Sequence, residues 1–364
     1  MNLKFIIGEA GTAKTTTLCR IQDTTKMSTV ALAFTHSACN NMISKGMKNV
    51  KTLHSFFRII PNSSYINITY LPQMLLIDEF SLIPTDILIS IFDGLKDKEI
   101  TVVCAGDLLQ LPPIVNTKLI DITTLNLTGE CSLEDAKEIF YTLGRTIYPS
   151  PYYQNANKMI LKKNYRSDTN IMNLLYEILE TGELNTYNNI NEIKSDDCVF
   201  IASTYENLKK MRVEDKDGFP TRIGIVKITQ NNYLLTENVN EEFHNGDIVN
   251  VIKYEPNNII GDVLKIEKDN KTVYLKKNVY RTFDILPNNY RTIHYAQGRG
   301  YKNIVMCVDD LFEIGMLYTG ITRAIESIKF ITFKNIKSVK DIVKRFKILK
   351  ANICLLYTSD AADE

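Results

Sequence analysis

Residues 4–15 read Lys4-Phe5-Ile6-Ile7-Gly8-Glu9-Ala10-Gly11-Thr12-Ala13-Lys14-Thr15, and the fold turns on how this stretch is interpreted. The apolar run 4–7 predicts a short buried strand, and residues 15–21 predict the helix that follows it. Between the two, Gly8 and Gly11 let backbone N–H groups turn inward around a triphosphate, at the positive end of the coming helix. Lys14 is placed to reach the β- and γ-phosphates, and Thr15 to put its hydroxyl on Mg²⁺. The phosphate-binding set is therefore Gly8, Gly11, Thr12, Ala13, Lys14, Thr15 and Thr16. Ala13 stands where glycine usually precedes the lysine; its methyl is tolerable if the local φ is negative.

Working outward, residues 29–34, 74–77 and 101–105 read as further buried strands, with helices over 38–47 and 84–95 between them. Such alternation predicts an α/β fold, a mostly parallel sheet with helices on both faces. The strand at 74–77 runs into Asp78-Glu79. Two carboxylates at the carboxyl edge of a parallel sheet that also carries a phosphate loop suit nucleotide chemistry. Asp78 suits Mg²⁺ coordination, and Glu79 suits a general base that polarises an attacking water.

A Pro-, Tyr- and Asn-rich stretch at 146–157 marks an expected boundary. A second alternating set follows: helix 168–179, strand 198–202, helix 205–212, strand 304–308, helix 313–325 and strand 328–332. Between 243 and 287 the pattern becomes short strands after a His244-Asn245-Gly246-Asp247 turn, which predicts a small all-β insert. His244 itself reads as a turn residue.

At 364 residues with 45% hydrophobic and 23% charged residues, the chain has the composition of a soluble globular protein of two domains. A formal net charge of +1 excludes a generic polycation, so a nucleic-acid site has to be a local groove. The seven cysteines form no CxxC pair and no zinc spacing, as expected for buried thiols of a reduced compartment. With no long apolar run and no signal-peptide core, the expected location is soluble and intracellular: cytoplasmic, or at a nucleoid or viral replication site.

Five further words place the chain in a known pattern. They are Gly106-Asp107-Leu108-Leu109-Gln110-Leu111-Pro112-Pro113, Asn164-Tyr165-Arg166-Ser167, Thr292-Ile293-His294-Tyr295-Ala296-Gln297-Gly298, Tyr318-Thr319-Gly320-Ile321-Thr322-Arg323-Ala324, and Thr52-Leu53-His54-Ser55-Phe56-Phe57. With the phosphate loop and Asp78-Glu79, they resemble motifs of superfamily 1 helicases, specifically the 5′→3′ branch that includes RecD-like enzymes. The resemblance implies two RecA-like domains with an SH3-like insert in the second, hydrolysis of ATP with Mg²⁺, and movement on single-stranded DNA. It implies that Gln110 senses the γ-phosphate, that Arg166 contacts the terminal phosphates and that Arg323 acts as an arginine finger. Gln297 and Gly298 join the nucleotide-binding set by the same route. Thr35, in a word resembling motif Ia, then Thr52, His54, Phe56, Thr204 and His294 are the implied strand contacts.

The expected organisation is 1–150 for the first RecA-like domain, 151–242 with 288–350 for the second, and 243–287 for the insert. Arg166 and Arg323 then face Lys14 from the opposite domain. The tail 355–364 resembles a translated adapter and is set aside as non-native, which places the true C-terminus elsewhere. The upstream glutamine segment that reads adenine in this family is not in the sequence, which leaves base selectivity open. A strand-splitting pin between Phe57 and Leu75 has to be short. Two rivals stay open: a viral-type RNA helicase, and a truncated strand-binding protein without turnover.

Overall fold

The computed structural model describes residues 1–59, 66–68, 70–113, 131–187, 193, 198–212, 219–226, 228, 233–240, 242–245, 247–256, 261–277 and 283–354. The tail 355–364 and Gly246 lie outside the described residues, as does part of the segment between Phe57 and Leu75. The chain divides into two compact units, Met1–Leu184 with Leu311–Glu326 and Lys337–Glu364, and Asn185–Asp310 with Ser327–Ile336.

The first unit is built on β1 (Asn2–Gly8), α1 (Lys14–Thr24), β2 (Thr29–Ala33), α2 (His36–Ser44), β3 (Val50–Thr52) and α3 (Leu53–Phe57). It continues through β4 (Met74–Ile77), α4 (Thr85–Leu95), β5 (Thr101–Gly106), α5 (Leu133–Gly144), α6 (Pro151–Gln154), β6 (Asn157–Leu161) and α7 (Thr169–Thr181). The six strands pair in parallel in the order β3-β2-β4-β5-β1-β6. Helices cover such a sheet on both faces, so its central strands are apolar without alternation; every residue of β4 is buried. One face packs Ile6, Leu18, Ala31, Met42, Leu76 and Val103 into a continuous core. Because β4, β5 and β1 are parallel neighbours, Asp78, Asp107 and the loop after Gly8 emerge on one edge of the sheet.

The Pro- and Tyr-rich stretch around 146–157 belongs to this unit. Tyr153 is fully buried with its ring 5.0 Å from Phe5, and β6 pairs with β1 from Lys4↔Asn157 to Gly8↔Leu161. Its composition reads as a linker, yet the aromatic rings supply core. The first sheet consequently runs past residue 150, where the sequence reading drew its boundary.

The second unit contains β7 (Thr186–Tyr187), β8 (Cys198–Ala202), α8 (Tyr205–Lys210), the hairpin β9 (Phe219–Thr221) and β10 (Gly224–Val226), and β11 (Tyr233–Leu235). Then come β12 (Ile248–Glu255), β13 (Asp262–Lys268), β14 (Lys271–Lys277), β15 (Ile285–Pro287), β16 (Tyr290–Thr292), α9 (Ile293–Ala296) and β17 (Tyr301–Cys307). One sheet runs β16-β8-β17-β18-β7, where β18 is Ala324–Ile331, with β8 parallel to both its neighbours. The other, β14-β13-β12-β11-β15, is antiparallel at each described pairing and forms its own core around Phe219, Tyr233, Phe243, Leu264 and Phe283. Asp269 and Asn270, both at positive φ, make the tight turn between β13 and β14. The β insert is present, and its sheet starts earlier than expected, at Tyr233.

The chain returns to the first unit for α10 (Met316–Ile321). A helix was expected over 313–325; it stops at Ile321, and β18 (Ala324–Ile331) begins three residues on. The β-branched Ile321, Thr322 and Ile325 favour that switch. Finally α11 (Lys340–Cys354) packs on the first unit, its Phe346 ring stacked 5.2 Å from Tyr318.

Candidate nucleotide site

The loop between β1 and α1 owes its path to residues with little bulk. Gly11 has φ +82°, and a Cβ there would lie 2.7 Å from Asn164 Oδ1. At Gly8 a Cβ would meet the Thr12 hydroxyl and lie 2.8 Å from the Leu161 carbonyl oxygen. Ala13 has φ 64° and ψ 29°, a left-handed conformation, so the negative φ that would make its methyl tolerable without strain is not the one adopted. The loop needs the geometry that glycine supplies at this position in the usual pattern, and alanine adopts it under strain of about 1–2 kcal/mol.

Lys14 opens α1 with its ammonium donating to the carbonyls of Gly8 (2.8 Å) and Glu9 (2.9 Å). Thr15 donates its hydroxyl to Asp78 Oδ2 at 2.8 Å. Asp78 Oδ1 is buried without a hydrogen-bond partner among the described residues. Burial, and next the neighbouring Glu79 carboxylate, push the Asp78 pKa up to about 6. A hydroxyl beside a carboxylate with one uncommitted oxygen is a donor set suited to a hard divalent cation. Glu79 follows at positive φ (51°), with Oε2 buried and likewise unpartnered.

Asn164 joins a second segment to the loop. Its side-chain amide donates to the Ala10 carbonyl at 2.9 Å, while its Oδ1 accepts from the N–H groups of Arg166 (2.8 Å) and Ser167 (3.1 Å). Tyr165 N–H adds a bond to the Gly11 carbonyl at 2.8 Å. The 311–326 excursion is tied on by Arg145–Glu313 at 2.5 Å and by Leu111 N–H donating to the Thr319 hydroxyl at 3.0 Å. Arg323 is buried, with Nε donating to the Thr319 carbonyl (3.1 Å) and Nη2 to the Thr322 hydroxyl (3.2 Å). Burial, and then the charge of Arg166, lower its pKa.

These segments enclose a cavity of about 230 Å³ lined by Lys14, Thr15, Glu79, Gln110, Arg166 and Arg323, with Gly11, Thr12, Ala13 and Thr16 from the loop. Four cations, Lys14, Lys45, Arg166 and Arg323, and a carboxylate can hold a triphosphate and position a water on its terminal phosphorus. Both arginines belong to the same compact unit as Lys14, which differs from the expected placement on opposite domains. The physical reason is local: β6 extends the first sheet up to the Arg166 loop, and α10 docks on Ala10, Asp107 and Leu111.

Other expected residues fall elsewhere. Gln297, at the C-cap of α9, and Gly298, at φ +75°, belong to the second unit. Thr35, Thr52 and Thr204 are N-caps of α2, α3 and α8, each accepting a backbone N–H. His54 packs against Phe34 at 5.2 Å, and burial lowers its pKa. Phe57 is core, whereas Phe56 is half-buried with the Lys51 ammonium 6.0 Å above its ring. His294 is half-buried on α9. Sequence reasoning missed Lys45 and Tyr165, which also line the cavity. Tyr165 sits inside a quoted word, beside Arg166. Nothing local marks Lys45, whose position depends on where α2 ends.

The fold and this cavity define a P-loop nucleotide-binding protein. The profile of the AAA domain family matches residues 1–136. Among solved structures, the chain is similar to Bacteroides Pif1 bound to ssDNA, with a TM-score of 0.61 and 19% identity over 99% of this chain and 94% of that one. It is also similar to Pif1 helicase from Bacteroides in complex with ADP-AlF3 and ssDNA (TM-score 0.57, 21% identity, 96% and 94% covered). Pif1 helicase from Candida albicans aligns with a TM-score of 0.53 at 15% identity, covering 96% of each chain. The chain therefore has the Pif1 helicase fold, with parallel-sheet RecA-like architecture. No protein of curated function matches the sequence.

Proposed function

We propose that the protein is an ATP-dependent 5′→3′ DNA helicase or translocase that moves on single-stranded DNA. The observation that carries this reading is the convergence of Lys14, Thr15–Asp78, Glu79, Gln110, Arg166 and Arg323 on one cavity. In it Lys14 neutralises the terminal phosphates and Arg166 anchors them. Glu79, with an uncommitted buried oxygen, takes the proton of the attacking water. Arg323 stabilises charge that spreads over the transferring phosphoryl group. Thr15 and Asp78 would hold Mg²⁺, which when bound neutralises charge shared by the β- and γ-phosphates.

A division into two RecA-like domains, with the β insert as an SH3-like module, remains part of this proposal. Gln297 and Gly298 are proposed as further nucleotide-binding residues. Thr35, Thr52, His54, Phe56, Thr204 and His294 are proposed to track the strand, through hydroxyls and helix N-termini on phosphates and rings on bases. The Arg323 excursion is continuous with the second unit at both ends, at 310/311 and 326/327. A change at the γ-phosphate then pulls directly on that chain, a route for coupling hydrolysis to movement. Among the described residues no helix is long and apolar enough to cross a membrane.

The test is ATP-driven unwinding of matched duplexes with 5′ or 3′ single-stranded overhangs, together with ATPase rates on saturating DNA and RNA strands. Unwinding or translocation from the 5′ overhang and DNA-stimulated turnover are expected. Activity confined to the 3′ overhang overturns the polarity, stimulation by RNA alone overturns the substrate, and turnover indifferent to strands overturns the motor.

A further inference from the structure

Gln110 has one end of its amide committed. Its Nε2 donates to Asp107 Oδ2 at 3.1 Å, while Oε1 is buried and without a partner among the described residues. A carboxylate only accepts, so the NH₂ must face Asp107 and the oxygen must be the free end, on a residue that lines the cavity. An amide oxygen cannot donate to a phosphate oxygen. It can accept from the water that attacks the phosphorus.

The Asp107 carboxylate is itself held. Leu109 N–H donates to Oδ1 at 3.0 Å, and the hydroxyl of Tyr318 donates to Oδ2 at 2.9 Å. The direction of the last bond is fixed, because Ala10 N–H in the phosphate loop donates to the same hydroxyl at 3.2 Å. Its one proton therefore goes to Asp107. Tyr318 is completely enclosed, on the helix that leads to Arg323, and its ring is clamped by Phe346. One hydroxyl thus joins the phosphate loop, the Asp107–Gln110 pair and the arginine-bearing segment.

We propose that Tyr318 is a positioning residue for hydrolysis: through Asp107 it holds the Gln110 amide so that Oε1 faces the attacking water. The inference rests on the reading of the cavity as an ATPase site. Without the hydroxyl, Asp107 loses a donor and the Ala10 N–H loses its acceptor, and the Gln110 amide loses its fixed orientation. The ring and its stack on Phe346 are kept in Tyr318→Phe.

The experiment is a double-mutant cycle on DNA-stimulated ATPase, with kcat expressed per folded protein and melting temperature measured on the same samples. Tyr318→Phe should lower kcat about tenfold, the scale of one well-placed hydrogen bond, with KM for ATP within about threefold. In a Gln110→Ala background, the same substitution should change kcat less than about twofold. A tenfold loss that persists in Gln110→Ala overturns the proposal, as does an unchanged kcat in Tyr318→Phe or a loss expressed wholly in KM. Wild-type protein without strand-stimulated turnover would overturn the ATPase reading itself and this inference with it. A stimulated wild type with additive effects would overturn this inference alone.

Discussion

Each of the two parallel-type sheets ends in the same device. At the edge of the first, β2 and β3 pair in parallel and run into α2 and α3, whose N-caps are Thr35 and Thr52. At the edge of the second, β16 and β8 pair in parallel and run into α9 and α8, capped by Thr292 and Thr204. All four threonines accept the N–H three residues on, at 3.1–3.3 Å. Deeper into the sheets the likeness stops. In the first, β4 ends in Asp78, buried with an unpartnered oxygen. In the second, β17 leads to Asp309, equally buried, whose oxygens take the Thr332 hydroxyl at 2.6 Å and Phe333 N–H at 2.8 Å. A strand-end carboxylate does structural work where its oxygens are satisfied and is available for chemistry where they are not. Glu79 and Gln110 carry unpartnered atoms on one cavity, and Asp78 carries another beside Thr15, which lines it.

The hardest test of that contrast removes charge from the cavity. Arg323→Ala should lower strand-stimulated turnover by about 10³–10⁵, on the order of 4–7 kcal/mol, while nucleotide affinity stays within about tenfold. Because Arg323 also bonds its own helix, melting temperature has to be followed on the same preparation. A well-folded variant with nearly full turnover rules out the finger. Glu79→Gln should retain ATP without hydrolysing it, and near-normal turnover would show that Glu79 is not the base.

A second test compares glycines, one from each unit. Gly11 and Gly298 share a positive φ, but a Cβ at Gly11 would strike Asn164 whereas one at Gly298 meets nothing within 4 Å. Gly11→Ala should cost about 2–4 kcal/mol, because the asparagine that would have to yield also holds Ala10, Arg166 and Ser167. It should also weaken nucleotide binding. Denaturation and nucleotide titration measure the two effects; wild-type affinity in the variant would mean that the Asn164 loop adjusts freely.

The threonine caps give a subtler comparison. Thr35→Asp and Thr204→Asp preserve the cap, since aspartate is as good a capping residue, but place negative charge where strand phosphates are proposed to lie. Stability should stay within about 0.5 kcal/mol, while single-strand affinity falls about tenfold at low salt and the gap narrows as salt rises. If one variant binds normally, the strand track does not include that edge.

What could be read from sequence followed from how locally each feature is encoded. The phosphate loop, Asp78-Glu79 and the central strands of the first sheet are contiguous words with one physical solution, and they stand where expected. The boundary near 150 was misplaced because Tyr148, Tyr153 and Pro151 look like linker until Phe5 is known to pack against them. The helix expected to 325 became helix, then strand, because an apolar run with glycine and β-branched residues has no single period. Membership of Arg166 and Arg323 in the first unit depends on Asn164, Tyr318 and Glu313 meeting partners more than 150 residues away. No local pattern encodes such pairings.

The smallest effect expected is also the cleanest, and it concerns one backbone angle in each unit. Ala13 sits at φ 64° and Gly298 at φ 75°, both left-handed. An L-residue with a Cβ is strained there by about 1–2 kcal/mol, and glycine is not. Replacing Ala13 with Gly relieves that strain but gives the unfolded chain extra freedom, which offsets about 0.4–1 kcal/mol. Ala13→Gly should therefore stabilise the first unit by about 0.5–1 kcal/mol. Gly298→Ala runs the same exchange backwards, with no steric contact to add, and should destabilise the second unit by a similar amount. Chemical denaturation of both variants beside wild type reads the pair. Mirror-image shifts mean that the two positions differ in residue and not in backbone demand. A loss of stability in Ala13→Gly would instead mean that the Ala13 methyl contributes more through packing than it costs through strain, and the alanine would then be an asset of this phosphate loop.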